Sequence, residues 1–236
     1  MVPYCLQAKS ISDAWFQLLY NIFDRSYVQK IQRGSFEKEQ YRLQYAGIAV
    51  FIEHPSQDMV PIIPPALGIP SPTTMEYIED YFANYLMDPK LAENETYKYA
   101  SRIQHPMPKG GTQLDRVIDM LKKTPLTNQA IVEIGSPDDY DVCIGNDGKL
   151  DPPCLRLLDF KALPVNEDLV LSISCYFRSW DLWAGFPTNL GGLELLKQHV
   201  SHETGLKNGP MYAYSAGAHI YGYQEEIARI RTLRQK

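Results

Sequence analysis

Apolar residues recur at helical spacing between residues 12 and 24, where Trp15, Leu18, Leu19 and Ile22 share one face. Ser12 and Asp13 offer capping oxygens, so an amphipathic helix is expected there. The pattern changes at 46–52 (Ala-Gly-Ile-Ala-Val-Phe-Ile) to an unbroken apolar run, which predicts a buried strand stopped by His54-Pro55. Five prolines between Pro61 and Pro72 predict a loop. Ser71-Pro72 then opens a second helix, with proline at its first position, running to about Leu86. A third helix is expected over 112–123, opened by Thr112 and ended before Pro125. Strands follow at 130–134, 155–160 and 169–177, then a long helix at 190–203 closed by Gly205. A strand near 211–215 and a charged helix at 224–234 finish the pattern. The order is mixed, without regular βαβ winding. It predicts one α/β (α+β) domain over residues 1–236, free of repeats and linkers.

Composition narrows the class. A chain of 236 residues supports one sizeable core, and 44% apolar with 22% charged residues is ordinary globular usage. A net charge of −5 argues against a dedicated DNA or RNA binder, while leaving room for a local pocket that takes one phosphate. There is no apolar run of 18 residues, so no membrane span is expected. The N-terminus lacks a charged stretch followed by an apolar one, which points to the cytoplasm. Cys5, Cys143, Cys154 and Cys175 form no Cys-x-x-Cys pair and have no histidine at zinc-ligand spacing. Free thiols and no metal site are expected.

Candidate chemistry concentrates between Asp151 and Tyr223, where reactive side chains sit at the ends of apolar elements. Cys154 follows two prolines and precedes a strand, so its side chain is held at a strand edge. On chemistry alone it reads first as a small buried hydrophobe; as a nucleophile it needs a nearby cation, which Arg178 can supply. Cys175 lies inside a strand and reads as core. Asn189 is either a helix cap or a carboxamide that pairs with a base edge through its donor and its acceptor. Asp181 is either a solvated loop charge or a ligand-binding carboxylate. His219 and Tyr221, two apart on a strand, point to the same face and serve either packing or a sugar hydroxyl. Arg178 and Ser179 together can meet a phosphate.

The Pro-Pro-Cys turn (152–154), the Arg-Ser-x-Asp step (178–181), the Gly-x-Pro-x-Asn step (185–189) and the His-x-Tyr step (219–221) occur in the order of the thymidylate synthase family. The resemblance covers about the last 85 residues and extends to Tyr99-Ala100-Ser101-Arg102, where the chain is similar to the shorter archaeal-type members. It implies a mixed sheet flanked by helices, with one sheet face packed in a homodimer. It also implies one-carbon transfer from 5,10-methylenetetrahydrofolate to C5 of a uracil nucleotide, with methylation of dUMP as the expected reaction. In that scheme Cys154 adds to C6 of the ring and Tyr99 assists proton handling. Asn189 reads O4 and N3–H, Asp181 holds the pterin, and His219 and Tyr221 grip the sugar 3′-hydroxyl. The family's catalytic glutamate falls on the helix before Tyr99, where Glu76 is the first choice, Glu79 the second, and neither the third.

The chain departs from the family in three ways. Thr127-Asn128-Gln129 stands where a Ser/Thr-Arg-Arg step reaches the substrate phosphate, removing two charge-assisted contacts of about 1.5–3 kcal/mol each. Arg33, in Gln32-Arg33-Gly34-Ser35, is the best replacement because such a glycine loop also offers backbone donors; Arg42, Arg102 and Arg116 are the others. Leu155 stands where many members carry histidine, and Ala216-Gly217-Ala218 replaces the family's Gly-Asp step. The sequence stops at Lys236 without the family's closing tail, which implies easier access of water to the one-carbon intermediate. Two alternatives follow: a pyrimidine nucleotide 5-hydroxymethylase using the same thiol and folate, and a catalytically weak nucleotide- or RNA-binding homologue.

Overall fold

A computed structural model describes residues 2–31, 40–93, 95, 97–144, 148 and 150–235. Among the described residues, ten strands form two sheets. The larger has the order β1 (Tyr4–Ala8), β4 (Ile48–Ile52), β9 (Lys207–Ser215), β7 (Asp168–Phe177), β6 (Leu155–Val165) and β5 (Ile131–Glu133). It is mixed: β1–β4 and β9–β7 are parallel, and the other pairs are antiparallel. The smaller sheet has the order β2 (Ser26–Lys30), β3 (Tyr41–Tyr45), β10 (Ala218–Tyr221) and β8 (Trp180–Asp181). The helices are α1 (Ile11–Arg25), α2 (Met75–Asp80), α3 (Tyr99–Ile103), α4 (Gln113–Lys123), α5 (Asp139–Val142), α6 (Gly185–Thr204) and α7 (Glu225–Thr232). A π-helical stretch, Tyr81–Met87, continues α2.

Helix α6 is the hub. Phe186, Leu190, Leu193, Leu196 and Val200 are buried along it, as are Gly191 and Gly192, so it is enclosed nearly all round. It packs on β7 and β9, and α1, α2 and α4 pack on it. Gly192 admits Tyr81, because a Cβ there would lie 2.5 Å from the phenol ring. The helix ends at Gly205 in the left-handed region, φ 73°, as expected from the sequence.

Alternation along the strands sends Leu158, Phe160, Ile173, Cys175, Met211, Ala213 and Val50 into the core under the helices. The opposite face carries Leu157, Tyr176, Tyr214, Ala49 and Cys5 in one cross-strand row. Asp159, Ser174, Tyr212, Phe51 and Gln7 form the next. Leu157 and Tyr214 on this face are exposed.

Several boundaries differ from expectation. Helix α2 starts at Met75 rather than Pro72, because the Thr74 hydroxyl accepts the Tyr77 N–H at 3.2 Å and caps the helix there. Helix α1 is capped by Ser10, which accepts from Asp13 N–H; the Ser12 hydroxyl instead accepts from Ile62 N–H at 2.9 Å. Helix α6 begins five residues earlier than 190, so Asn189 lies inside it and is not its cap. The cap function falls to Asp181, whose carboxylate accepts from the N–H groups of Trp183, Ala184 and Gly185 at 3.0–3.4 Å. Strands β1, β2 and β3 lacked an apolar run long enough to predict them.

Candidate active site

Cys154 lies just before β6, and Arg178 lies just after the antiparallel β7, so hairpin register brings them together. The Arg178 N–H donates to the Cys154 carbonyl at 2.8 Å. Its guanidinium donates through Nε to the Pro153 carbonyl at 3.1 Å and through Nη2 to the Pro152 carbonyl. The Pro-Pro-Cys turn is thus tied to the cation beside it. Arg156 approaches from the other side: its Nη1 lies 3.4 Å from the Pro153 carbonyl and 2.9 Å from Asp139. Asp139 is fully buried and also accepts from Arg102 at 2.7 Å. Burial pushes the Cys154 thiol above its ordinary pKa; Arg178 opposes the rise, Asp151 adds to it, and Arg156 opposes it. The resting thiol is therefore protonated at neutral pH.

A cluster of tyrosines lies near the thiol, with Tyr85, Tyr97 and Tyr99 close enough to feel its charge. The Tyr99 hydroxyl accepts from Leu155 N–H at 3.2 Å, and Tyr85 meets Tyr99 edge-on at 5.2 Å. Tyr81 stacks on Tyr85 at 5.3 Å, and Tyr97 lies 6.2 Å from Tyr99. Burial pushes all four phenols up, Tyr85 to about 12, so they remain proton donors. Of these only Tyr99 was named from sequence. The signal for the others was their spacing: Tyr81 and Tyr85 are one helical turn apart, and Tyr97 is two residues from Tyr99.

Asn189 is half-buried on the first turns of α6. Its Oδ1 accepts from the Trp180 indole N–H at 3.0 Å, and its Nδ2 donates to the Tyr81 hydroxyl at 3.0 Å. Asp181, at the end of β8 and facing Asn189 across Gly185, accepts the N–H groups of Trp183, Ala184 and Gly185 and is itself half-buried. Two carboxylate oxygens offer about four lone-pair sites, so capping leaves acceptor capacity for a ring N–H.

His219 is 2% exposed, and its Nδ1 lies 2.7 Å from the Gly217 carbonyl. Burial pushes its pKa down, the Gly217 contact opposes this, and Arg42 adds to the depression. The neutral ring donates from Nδ1, which leaves Nε2 an acceptor. Among the described residues that buried nitrogen has no partner. Tyr221 meets the His219 ring edge-on at 4.8 Å, as expected for two side chains on one strand face. Gln44 and Arg42 pair across from His219 and Tyr221, and the Gln44 Oε1 is likewise buried without a partner. Gly217 permits the close approach of the Arg178–Ser179 chain, since a Cβ would lie 2.8 Å from the Arg178 carbonyl oxygen.

Other candidates stand apart. Ser179 is half-buried. Glu76 and Glu79 are exposed, and neither side chain makes a hydrogen bond or ion pair to a described residue; the inner side of α2 presents Ile78 to Gly191 instead. Arg33 lies outside the described residues. Arg102 is committed to Asp139, Arg116 donates to the Gly110 carbonyl at 2.8 Å, and Asn128 accepts from Lys161 at 3.2 Å. Among the described residues no cluster suited to a metal ion occurs, and no helix is long and apolar enough to cross a membrane.

Comparison with known proteins gives a consistent picture. A family model described as "Thymidylate synthase" matches residues 82–236. A protein of Methanosarcina barkeri named "Putative thymidylate synthase" is 30% identical over 94% of this chain and 91% of its own length. One of the same name from Methanococcoides burtonii is 29% identical over 95% and 93%. Among solved structures, thermostable thymidylate synthase A from Bacillus subtilis superposes with a TM-score of 0.67 at 14% identity, covering 97% of this chain and 86% of that one.

Proposed function

The chain belongs to the thymidylate synthase family, and from that premise we propose that it transfers a one-carbon unit to C5 of a uracil nucleotide, dUMP by first choice, through a Cys154 adduct. The observation that carries this reading is the placement of Arg178 beside Cys154: their strand ends are joined by a 2.8 Å backbone hydrogen bond, and the Arg178 guanidinium donates to the carbonyls of the two prolines before the thiol.

The residues account for the required steps. The Cys154 thiol gives its proton to solvent as the nucleotide enters, Arg178 favouring the thiolate, and sulfur forms a bond to C6 of the ring. The electrons of the C5–C6 double bond move to C5 and the O4 carbonyl. Asn189, with one N–H and one lone pair left after its contacts to Trp180 and Tyr81, receives O4 and N3–H. The neutral His219 offers Nε2 to a sugar hydroxyl, with Tyr221 beside it. Tyr99 and its neighbours hold protons next to the reacting carbon and exclude water. Asp181 fits a folate ring N–H, and 5,10-methylenetetrahydrofolate supplies the carbon unit and, for methylation, the hydride. The family's phosphate arginines have no counterpart at Asn128-Gln129, so Arg178 is the proposed phosphate partner, with Ser179 and Arg33. Glu76 is the proposed glutamate, which requires α2 to reorient on binding. The open sheet face with its rows of aromatic and apolar side chains supports a homodimer, and a cytoplasmic setting suits the free thiols.

A 5-hydroxymethylase is the second reading, favoured by the missing arginine pair, since a differently held nucleotide gives water a route to the same carbon. Mass spectrometry of dUMP, UMP, dCMP and CMP after incubation with methylenetetrahydrofolate separates the two. A gain of about 14 Da on dUMP, absent with Cys154→Ala, is expected from methylation by an adduct mechanism. A gain of about 30 Da assigns hydroxymethylation, and no product from any of the four defeats both readings.

A further inference from the structure

We propose that Trp180 is a positioning residue that selects the pyrimidine: by holding the Asn189 carbonyl, it fixes the order of donor and acceptor that the amide shows to the base. The inference rests on the uracil-nucleotide reading above and concerns a residue that touches no substrate.

Trp180 is 2% exposed and locked in an aromatic stack, with Phe177 at 4.1 Å and nearly coplanar (8°), and Phe186 at 4.7 Å on a tilt. An indole N–H only donates, so the amide end 3.0 Å away must be the oxygen. The other end, Nδ2, then faces Tyr81 at 3.0 Å. Tyr81 is itself fixed, stacked on Tyr85 and seated over Gly192. The clamp uses one lone pair and one N–H, leaving one of each in a set order.

Uracil presents an acceptor at O4 and a donor at N3, whereas cytosine presents a donor at N4 and an acceptor at N3. An asparagine reads the second pattern only by turning its amide over. In this site the turned amide would press its NH2 group against the indole N–H, two buried donors with no acceptor between them. A phenol both donates and accepts, so Tyr81 tolerates either orientation. Trp180 does not. Selection against cytosine therefore resides in the indole N–H, at a level of roughly 10- to 100-fold for one unsatisfied buried donor.

The test is equilibrium binding of dUMP, UMP, dCMP and CMP, measured calorimetrically on the full chain, on Trp180→Phe and on Tyr81→Phe. The unaltered chain should prefer uracil. Trp180→Phe should raise the cytosine-to-uracil affinity ratio by roughly 10-fold or more, because the amide is then free to turn. Tyr81→Phe should weaken both nucleotides and leave the ratio in place. An unchanged ratio in Trp180→Phe, or an equal change in Tyr81→Phe, overturns the inference while the uracil reading stands. Failure of the unaltered chain to bind any uracil nucleotide overturns the functional reading, and the inference with it. If Trp180→Phe does not fold, a benzothiophene isostere of tryptophan at position 180, which exchanges N–H for sulfur in the same outline, carries the same expected shift.

Discussion

Asp139, with no exposed surface, holds Arg156 at 2.9 Å, and Arg156 in turn reaches the carbonyl of Pro153 beside the thiol. Arg102 reaches the same carboxylate at 2.7 Å, so one buried anion orders two arginines, each about a quarter exposed. Replacing Asp139 by Asn leaves two guanidinium groups facing a neutral amide. Removing one partner of a buried pair costs about 3–5 kcal/mol, and the partial exposure of both arginines places this case near 3 kcal/mol. The midpoint of urea unfolding should fall accordingly. A midpoint unchanged within error would show that the carboxylate does not hold these arginines.

The charges around Cys154 make its reactivity tunable in both directions. Burial keeps the thiol protonated at neutral pH, and Arg178 and Arg156 work against burial while Asp151 works with it. The rate of alkylation by iodoacetamide, followed by mass spectrometry on the peptide of the half-buried Cys154 because Cys5 is exposed and reacts as well, should rise with pH through an elevated midpoint. Arg178→Met should move that midpoint higher, Arg156→Met should move it higher by less, and Asp151→Asn should move it lower. Movement of the Asp151→Asn midpoint upward would refute this ordering of charges.

Much of the fold, and the placement of the candidate thiol beside its cation, was legible in sequence because those features are local. The Pro-Pro-Cys turn, Arg178 at the strand end and the His219–Tyr221 spacing each depend on neighbours in the chain, and the structure brings Cys154 and Arg178 into contact. Helix α4 matched because Thr112 and Asp115 make a complete capping box. The start of α6 did not, because its cap comes from Asp181, four residues before the first helical residue and outside the usual cap position. Strand β3 was invisible because Tyr41-Arg42-Leu43-Gln44-Tyr45 carries polar residues into the interior, where Gln44 is 7% exposed. The fold places Trp180 and Tyr81 around Asn189, with Tyr85 stacked on Tyr81. Their roles depend on contacts between residues as much as 108 positions apart.

Lys197 and Glu194 form an ion pair at 2.9 Å with neither side chain exposed. Lys197 also donates to the carbonyl of Gly209, and Glu194 accepts from Gln198 and Asn208 at 3.0 and 2.7 Å, so the pair pins α6 to β9. Burial pushes the lysine pKa down and Glu194 opposes the shift. Lys197→Met leaves the carboxylate buried without its cation and should cost about 3–5 kcal/mol. In a chain of this size that is a fall in thermal midpoint of roughly 6–20 °C. Combining it with Glu194→Met should recover most of the loss, since an apolar pair removes the unpaired charge. A double variant as unstable as the single one would mean that the polar contacts to Asn208 and Gln198, rather than the ion pair, dominate.

His219 gives the fold a pH dependence of definite sign. Its pKa is held below the ordinary 6.5 by burial, so between that value and its folded one the unfolded chain takes up a proton that the native protein refuses. Stability then rises with pH across the window and levels off above about 6.5. Going down in pH, the contribution begins to be lost near 6.5, and the loss is complete once the pH passes below the depressed folded value. His219→Gln removes the titration, so the difference in unfolding free energy between the two proteins should change across this window and be constant above it. A nucleotide whose sugar hydroxyl donates to Nε2 should deepen the effect, because the bound ring resists protonation more strongly. Its affinity should therefore weaken only as pH falls through the depressed pKa of His219 in the free native protein, below the folding window, and lose that dependence in His219→Gln. A binding curve with the same pH slope in both proteins would remove His219 from the proposed sugar site.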